Sequence, residues 1–399
     1  MNITHDIDLV TIDDVEDAIQ KANENMSQRV SIDSINKRHG AFRDAARLQA
    51  IVTIARTSKD KLLQLSGSTN LDATLTHLCS YAPALVGIRL NKSISIGGKI
   101  ISRRTALEYA VEKINDSDIK KYRNIIKGRT IDLCCISGAR KQYLSPLFSL
   151  RDSTAVKNNS AMSKTLAEIF KEIGHNDFND FNSELMEAFG IFTFELFKNT
   201  QDHACKDENG IPLVSHAEGI IASHKDLDSL TYKSDFLSHP RLKKYWDDLA
   251  EYENGKETLR CIQISFFDTG PGIIGRAFGK DVKFKNSIEE KFALISCLQK
   301  NFTTKSQGGA GNGYPTILKQ LSKVGGLIKI RTGRQSIFNC FELEGSHRSD
   351  NIKIENINHE GNNLFNFDSW SSKELSQAAG TVVSILVPLR KKSGQSSLF

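Results

Sequence analysis

The hydrophobic pattern of the chain predicts both helices and strands. Before residue 150, helical spacing of apolar residues or short apolar runs place the predicted helices at 11–25, 41–55, 71–79 and 104–114, and β-forming stretches at 86–101 and 131–136. Thr11 and Asp14 resemble a capping box, and Gly97-Gly98 predicts a turn. Residues 1–150 are therefore predicted to form a mixed α/β region, whose role the pattern does not reveal.

The remainder of the chain predicts a second unit. Residues 151–163 are rich in Ser, Asn and Thr and are predicted to be a linker. The predicted helices after it lie at 162–173, 183–203, 287–300 and 314–324, and the predicted strands at 259–267, 327–331, 337–343 and 381–389. This order predicts an α/β (α+β) sandwich domain over 164–392, with helices on one face of a mixed sheet.

Composition restricts the class of protein. The chain has 399 residues with 39% hydrophobic and 25% charged residues, which suits two or three globular domains. The net charge is +6, but Lys and Arg are dispersed, so an ordinary basic surface is favoured and nucleic-acid contact stays open.

Compartment and metal content are also constrained by the sequence. Apolar runs are shorter than the roughly 18 residues that a membrane span needs, and the N-terminus is polar, so we expect a cytoplasmic protein without membrane contact. The seven cysteines include no CxxC pair, so buried thiols are favoured over a structural metal site.

Polar residues on the predicted helix 183–203 form the first candidate for chemistry. Glu195 and Asn199 are four residues apart and share a face, and Asp202 lies within one turn of Asn199. A carboxylate and an amide on one face can position a water molecule and a hydrated Mg²⁺, which binds few protein oxygens. The alternative interpretation is the polar face of an ordinary helix.

A glycine-containing turn after the strand 259–267 forms the second candidate. An Asp at a strand end, here Asp268, can accept a hydrogen bond from an exocyclic amine. Gly270 and Gly272 lack a Cβ, so the backbone there can approach a flat base closely. The alternative is a tight turn built from Asp, Pro and Gly.

Two further segments complete the set. Lys305 precedes a glycine-rich loop with Gly309, Gly311 and Gly313 that leads into a helix, where free backbone N–H groups can bind phosphate. The alternative is a flexible linker. Gly380 and Thr381 open the last predicted strand and alone indicate only a turn exit.

Together, and in this order, these segments resemble the GHKL (Bergerat-fold) ATPase superfamily, which includes gyrase-type topoisomerases, the large heat-shock chaperone, sensor histidine kinases and MutL-type mismatch-repair proteins. The family's N box is matched by Glu195, Asn199 and Asp202, its first glycine box by Asp268, Gly270 and Gly272, and its second by Gly309, Gly311 and Gly313. The Phe-Thr-Thr-Lys run ending at Lys305 resembles the histidine-kinase branch most. The resemblance does not extend to residues 1–150.

The resemblance implies a Bergerat fold that binds ATP and Mg²⁺, with a role for each matched residue. Asn199 would hold Mg²⁺, Asp268 would bind the adenine amino group, and Thr381 would support that contact. Gly272 would leave room for the base, whereas Lys305, Gly311 and Gly313 would contact phosphates. Glu195 would orient or deprotonate the attacking water.

The chain departs from the family pattern in two long segments. We expect insertions near 206–255 and 345–379 to be surface additions, which either expand loops neutrally or contact a partner. A protein partner could also bind the N-terminal region, and a homodimer is compatible with the resemblance.

Alternative functions are weighed against ATP hydrolysis that drives a conformational or signalling switch. A P-loop is excluded because its motif does not occur. Gly270, Gly272 and Gly275 match a dinucleotide fingerprint, but the following segment reads as helix rather than strand, which disfavours a Rossmann unit. A histidine or serine kinase, or a module that binds ATP without hydrolysing it, stays open.

Overall fold

The computed structural model describes residues 4–67, 70–174, 183–203, 205–253, 255–279, 282–299, 313–342 and 364–389. The strands are β1 (Thr4–Ile7), β2 (Ser27–Ser31), β3 (Leu62–Ser66), β4 (Ser93–Ile96), β5 (Lys99–Ser102), β6 (Thr130–Ile136), β7 (Ala217–Asp228), β8 (Glu251–Glu253), β9 (Lys256–Asp268), β10 (Leu327–Gly333), β11 (Gln335–Cys340), β12 (Asp368–Ser369) and β13 (Ala378–Pro388).

The α-helices are α1 (Ile12–Asn23), α2 (Ile32–Asn36), α3 (Ala41–Thr57), α4 (Leu71–Cys79), α5 (Ala82–Leu90), α6 (Arg103–Glu108), α7 (Val111–Asp118), α8 (Tyr122–Ile125), α9 (Asn159–Gly174), α10 (Ser183–His203), α11 (Ser229–Tyr232), α12 (Pro240–Leu249), α13 (Gly272–Phe278), α14 (Ser287–Leu298) and α15 (Gly313–Val324). A 3₁₀ turn spans Lys233–Phe236.

The smaller sheet has the strand order β1-β2-β3-β4-β5. The first three pairs are parallel, and β4 pairs antiparallel with β5. Gly97 and Gly98 form the turn between those two strands with positive φ angles, as the sequence predicts for a tight hairpin. The mixed α/β class predicted for the N-terminal region is therefore confirmed.

The larger sheet has the order β12-β11-β10-β13-β9-β7-β6, with β8 paired to β9. Each of these pairs among the described residues is antiparallel, so the mixed pairing expected here occurs in the smaller sheet instead. Strand β6 joins this sheet from before the predicted linker, and α9 begins inside it. The division at 151–163 stays a prediction, but the sheet draws strands from both sides of it.

Helices cover both faces of the larger sheet, whereas the sequence predicted one. On one face, Ile262, Ile264 and Phe266 of β9 share a core with residues of α9, α10, α14 and α15. On the other face, Phe267 belongs to the core formed by α1, α3, α5 and the smaller sheet. The chain therefore forms four layers, in the order sheet, helices, sheet and helices. The strands of the larger sheet have apolar residues on both faces, so both faces must be covered.

Helix α3 lies between the two sheets. Twelve of its residues are buried, on all sides of the helix. Its first N–H groups are satisfied by the larger sheet, because Ala41 N donates to Ser223 Oγ at 3.0 Å and Phe42 N to Gln263 Oε1 at 3.3 Å. The N-terminal part is thus joined to the sheet through polar contacts as well as through the core.

The expectation that 206–255 is a surface insertion is wrong. This segment supplies β7, which pairs with both β6 and β9, and α12, whose Trp246 is fully buried. Part of the second expected insertion also packs inward, because Phe367 and Trp370 are buried. Both segments contain apolar side chains that the fold buries, so they pack into the domain instead of lying on its surface.

Most predicted elements agree with the structure. The capping box of α1 is present, with Thr11 and Asp14 bonded reciprocally. Part of the β-forming stretch 86–101 is instead helix α5, because its residues are all buried and leave no periodicity to separate helix from strand. The helix predicted at 104–114 divides into α6 and α7. Within the described residues, none of the helices is long and apolar enough to cross a membrane.

Candidate functional site

Four polar residues form a row across the larger sheet. Glu218 of β7 pairs with Asp268 of β9, and Thr381 of β13 pairs with Thr332 of β10. The two pairs are joined because Thr381 N donates to Asp268 Oδ1 at 3.1 Å. Alternation with the buried residues of each strand places the whole row on the α10 side of the sheet.

Asp268 is the best anchored member of this row. Its Oδ1 accepts hydrogen bonds from Gly270 N at 2.9 Å and from Thr381 N, and its exposed fraction is 8%. Burial raises the pKa of Asp268 to about 6, while the two N–H donors and the charge of Arg56 lower it. The carboxylate is therefore held in one orientation, in a place where an ionised acceptor is strong.

The glycines beside Asp268 are required by close packing. Gly380 has φ of +73°, and a Cβ there would overlap the carbonyl oxygen of Asp268. Gly272 has φ of +81°, and a Cβ there would lie 2.8 Å from Thr332 Oγ1. That oxygen accepts a hydrogen bond from Ile273 N at 3.1 Å. The sequence reasoning that backbone approaches closely here is thus supported by the geometry.

Helix α10 brings its polar residues to the start of α15. A Cβ on Gly313 would lie 2.8 Å from Glu195 Oε2 and 3.5 Å from Asn199 Nδ2, so the three predicted residues are neighbours. Glu195 and Asn199 are half-buried. Asp202 is half-buried too and forms an ion pair with Lys198 at 3.2 Å along the helix.

Tyr314 links the two groups of residues. It follows Gly313 in the first turn of α15. Burial raises the pKa of Tyr314, and the negative charge of Asp268 raises it further, so the phenol lies within electrostatic reach of that carboxylate. Sequence alone gives no sign of this proximity, because Asp268 and Tyr314 are far apart along the chain.

Glu218 is a site residue that sequence reasoning missed. Its exposed fraction is 2%, and its Oε2 lies 3.5 Å from Cys205 Sγ in the segment after α10. Burial raises the pKa of Glu218 to about 8, and the charge of Asp268 adds to the increase. The signal was a lone acid in the apolar run Ala-Glu-Gly-Ile-Ile-Ala, but that run was assigned to an insertion.

Helix α3 supplies a second missed set. Gln49 Nε2 donates to Arg331 O at 3.0 Å, and Thr53 Oγ1 accepts from Ala379 N at 3.0 Å. Arg56 donates to the carbonyl oxygens of Thr269 and Ser215, both at 2.9 Å. One helix therefore fixes backbone next to Thr332 and Asp268 and within two residues of Thr381. Sequence gives no signal for these contacts, which span up to 326 positions.

Some predicted residues lie outside the described part of the chain, namely Lys305, Gly309 and Gly311. Within the described residues, no group of three or more His, Cys, Asp or Glu side chains is arranged to hold a metal ion. The oxygen donors of Glu195 and Asn199, next to a helix N-terminus, are suited to a cation that takes most of its ligands from phosphate and water.

Comparisons of the chain with protein-family models, curated proteins and solved structures find no match. The functional interpretation therefore rests on the residues and their arrangement.

Proposed function

We propose that the α10 side of the larger sheet binds ATP with Mg²⁺ and hydrolyses it, and that the resulting change is transmitted to the N-terminal part. The observation that carries this proposal is the polar row anchored on Asp268, which shares one side of the sheet with Glu195 and Asn199 of α10. The resemblance of the sequence to the GHKL superfamily supports the same function.

At the base end, Asp268 supplies the acceptor. A carboxylate offers about four acceptor positions on its two oxygens. Gly270 N and Thr381 N use two of them on Oδ1, and the Thr381 hydroxyl uses a third. The remaining capacity suits the exocyclic amine of adenine. Gly272 has no side chain, so a flat ring can approach the backbone at this point.

At the phosphate end, α15 begins at Gly313, close to the side chains of Glu195 and Asn199. A helix N-terminus carries unpaired N–H groups and a partial positive charge, both of which favour phosphate. The amide oxygen of Asn199 would hold Mg²⁺, which supplies neutralisation of phosphate charge when bound. Glu195 would orient a water molecule and accept its proton.

The coupling to the N-terminal part follows from α3. This helix bonds to backbone beside Thr332, Asp268 and Thr381, so a shift of those strand ends on nucleotide binding would act on α3. Because α3 also packs against α1 and α5, the shift would reach the smaller sheet.

The fate of a radiolabelled γ-phosphate tests this function. We expect the label to appear as free phosphate with the native protein, and turnover to be lost in Glu195→Ala. Glu187→Ala is the matched control, because Glu187 is an exposed residue two turns earlier on the same helix. Label on the protein would show that the protein transfers the phosphate to itself instead of hydrolysing ATP. Label that remains on the nucleotide would contradict turnover.

A further inference from the structure

Two buried carboxyl groups lie side by side in the polar row. Glu218 and Asp268 are direct partners in the antiparallel pairing of β7 with β9, and both point to the α10 side. Directly opposed residues have Cβ atoms about 4.5–5.5 Å apart. Their exposed fractions are 2% and 8%, so water screens their charges poorly.

Two carboxylates this close in a buried place do not both ionise readily, so the pair retains one proton. The surroundings decide which residue keeps it. Asp268 receives two backbone N–H groups and the field of Arg56, which stabilise its charge. Glu218 Oε2 has the thiol of Cys205 at 3.5 Å, which is a much weaker donor. The negative charge therefore resides on Asp268 and the proton on Glu218.

We propose that Glu218 is a positioning residue of the nucleotide site, which by keeping its proton maintains Asp268 as a single, localised acceptor for the amine of an adenine base. Loss of the Glu218 proton adds a second buried charge and disrupts this geometry. The inference rests on the proposed ATP binding, and it predicts the pH range in which the protein binds ATP most tightly.

The titratable groups around Glu218 do not change their charge between about pH 6 and pH 8, so Glu218 and Asp268 determine the pH dependence in this range. Burial raises the pKa of Cys205, of Cys135 on β6 and of Tyr143 above their ordinary values. Arg56, beyond Asp268, has its pKa lowered by burial but starts from a very high ordinary value. The pKa of Asp268 is raised to about 6 and that of Glu218 to about 8, so affinity should increase through pH 6 and decrease above pH 8.

Calorimetric titration with the non-hydrolysable analogue AMP-PNP and Mg²⁺ between pH 5.5 and pH 9.5 tests the inference. The native protein should bind about tenfold more weakly at pH 9 than at pH 7.5, since each pH unit above the pKa of a titrating group changes affinity about tenfold. Glu218→Gln, which mimics the protonated acid, should keep the decrease below pH 6 and lose the decrease above pH 8. Any ionisation of the analogue itself affects both proteins equally.

Glu218→Asp provides the conservative control, because it retains an ionisable group and should retain the alkaline decrease. The inference would be overturned if the affinity of Glu218→Gln decreased above pH 8 as much as that of the native protein. It would also be overturned if the affinity of the native protein stayed constant up to pH 9.5, a result that requires no variant to fold. In either case the proposed function would stand if the analogue binds. A native protein that binds no analogue at any pH would overturn the proposed function as well.

Discussion

The guanidinium of Arg56 donates a hydrogen bond to the carbonyl oxygen of Thr269 at 2.9 Å. Arg56 lies at the end of α3 in the N-terminal part, and Thr269 directly follows Asp268. A second bond from the same guanidinium goes to Ser215 O, just before β7. The N-terminal part is thus an integral support of the candidate site.

Replacing Arg56 should therefore weaken nucleotide binding. Arg56→Gln removes charge-assisted bonds worth about 1.5–3 kcal/mol each and a charge that favours ionised Asp268, so we expect affinity for an ATP analogue to decrease about tenfold. Fluorescence or calorimetric titration measures this. Arg123→Gln is the control, because Arg123 forms an exposed ion pair with Glu172 and should have no effect. Unchanged affinity in Arg56→Gln would show that this residue of α3 does not contribute to nucleotide binding.

Gly313→Ala should reduce turnover without unfolding the protein. The added methyl group would lie 2.8 Å from Glu195 Oε2, and that carboxylate is the mobile end of a side chain, so it should move rather than the helix. We expect kcat to decrease about tenfold or more while the urea midpoint changes little. Unchanged kcat in Gly313→Ala would contradict the assigned contact between Gly313 and Glu195.

Gly380→Ala should destabilise the fold. The residue has a left-handed φ, and a Cβ would overlap the carbonyl oxygen of Asp268, so the backbone of Gly380 or of Asp268 must move. We expect a loss of more than about 2 kcal/mol in the free energy of unfolding, measured by urea denaturation. Gly98→Ala has a similar φ with no atom nearby, and should lose only the conformational part. Equal losses in both variants would show that the packing against Asp268 is unimportant.

Glu218 should make stability depend on pH. Its pKa is raised to about 8 in the folded protein, so its contribution to stability is complete below its ordinary pKa and is lost as pH increases through about 8. Glu218→Gln lacks this loss. Relative to the native protein, the variant should gain on the order of 4 kcal/mol in unfolding free energy between pH 5 and pH 9, because one pH unit of titration corresponds to about 1.4 kcal/mol. Glu187→Gln, at an exposed position, should follow the native curve, and a parallel curve for Glu218→Gln would show that Glu218 is ionised throughout.

The predictable part of the fold was the part with clear periodicity. The spacing of apolar residues located α10, and the alternation of Ile262, Ile264 and Phe266 with polar residues located β9. Both elements have one face that is more apolar than the other, so their periodicity is visible in the sequence. Strands β1, β2 and β3 have only four or five residues with polar residues among them, so they lack a distinct signal. Helix α5 is buried all round and was mistaken for a β-forming stretch.

The candidate site divides in the same way. Glu195, Asn199, Gly313, Asp268 and Thr381 were selected because each lies in a local pattern with a chemical purpose. Glu218 was overlooked because its strand was taken for an insertion. Arg56 and Gln49 were beyond sequence reasoning, since they donate to backbone carbonyl groups 159 to 282 residues away, and backbone acceptors leave no mark on the sequence.

Acceptance of an adenine amine by Asp268 is tested most directly by calorimetric titration of the native protein and Asp268→Asn with an ATP analogue and Mg²⁺. The amide oxygen of Asn can still accept from Gly270 N and Thr381 N, so the fold should persist while an amine-binding oxygen becomes a donor. We expect the native protein to bind the ATP analogue in preference to the GTP analogue, and Asp268→Asn to bind the ATP analogue at least about tenfold more weakly. Equal affinity of the two proteins for the ATP analogue, or no binding by the native protein, would contradict the proposed site.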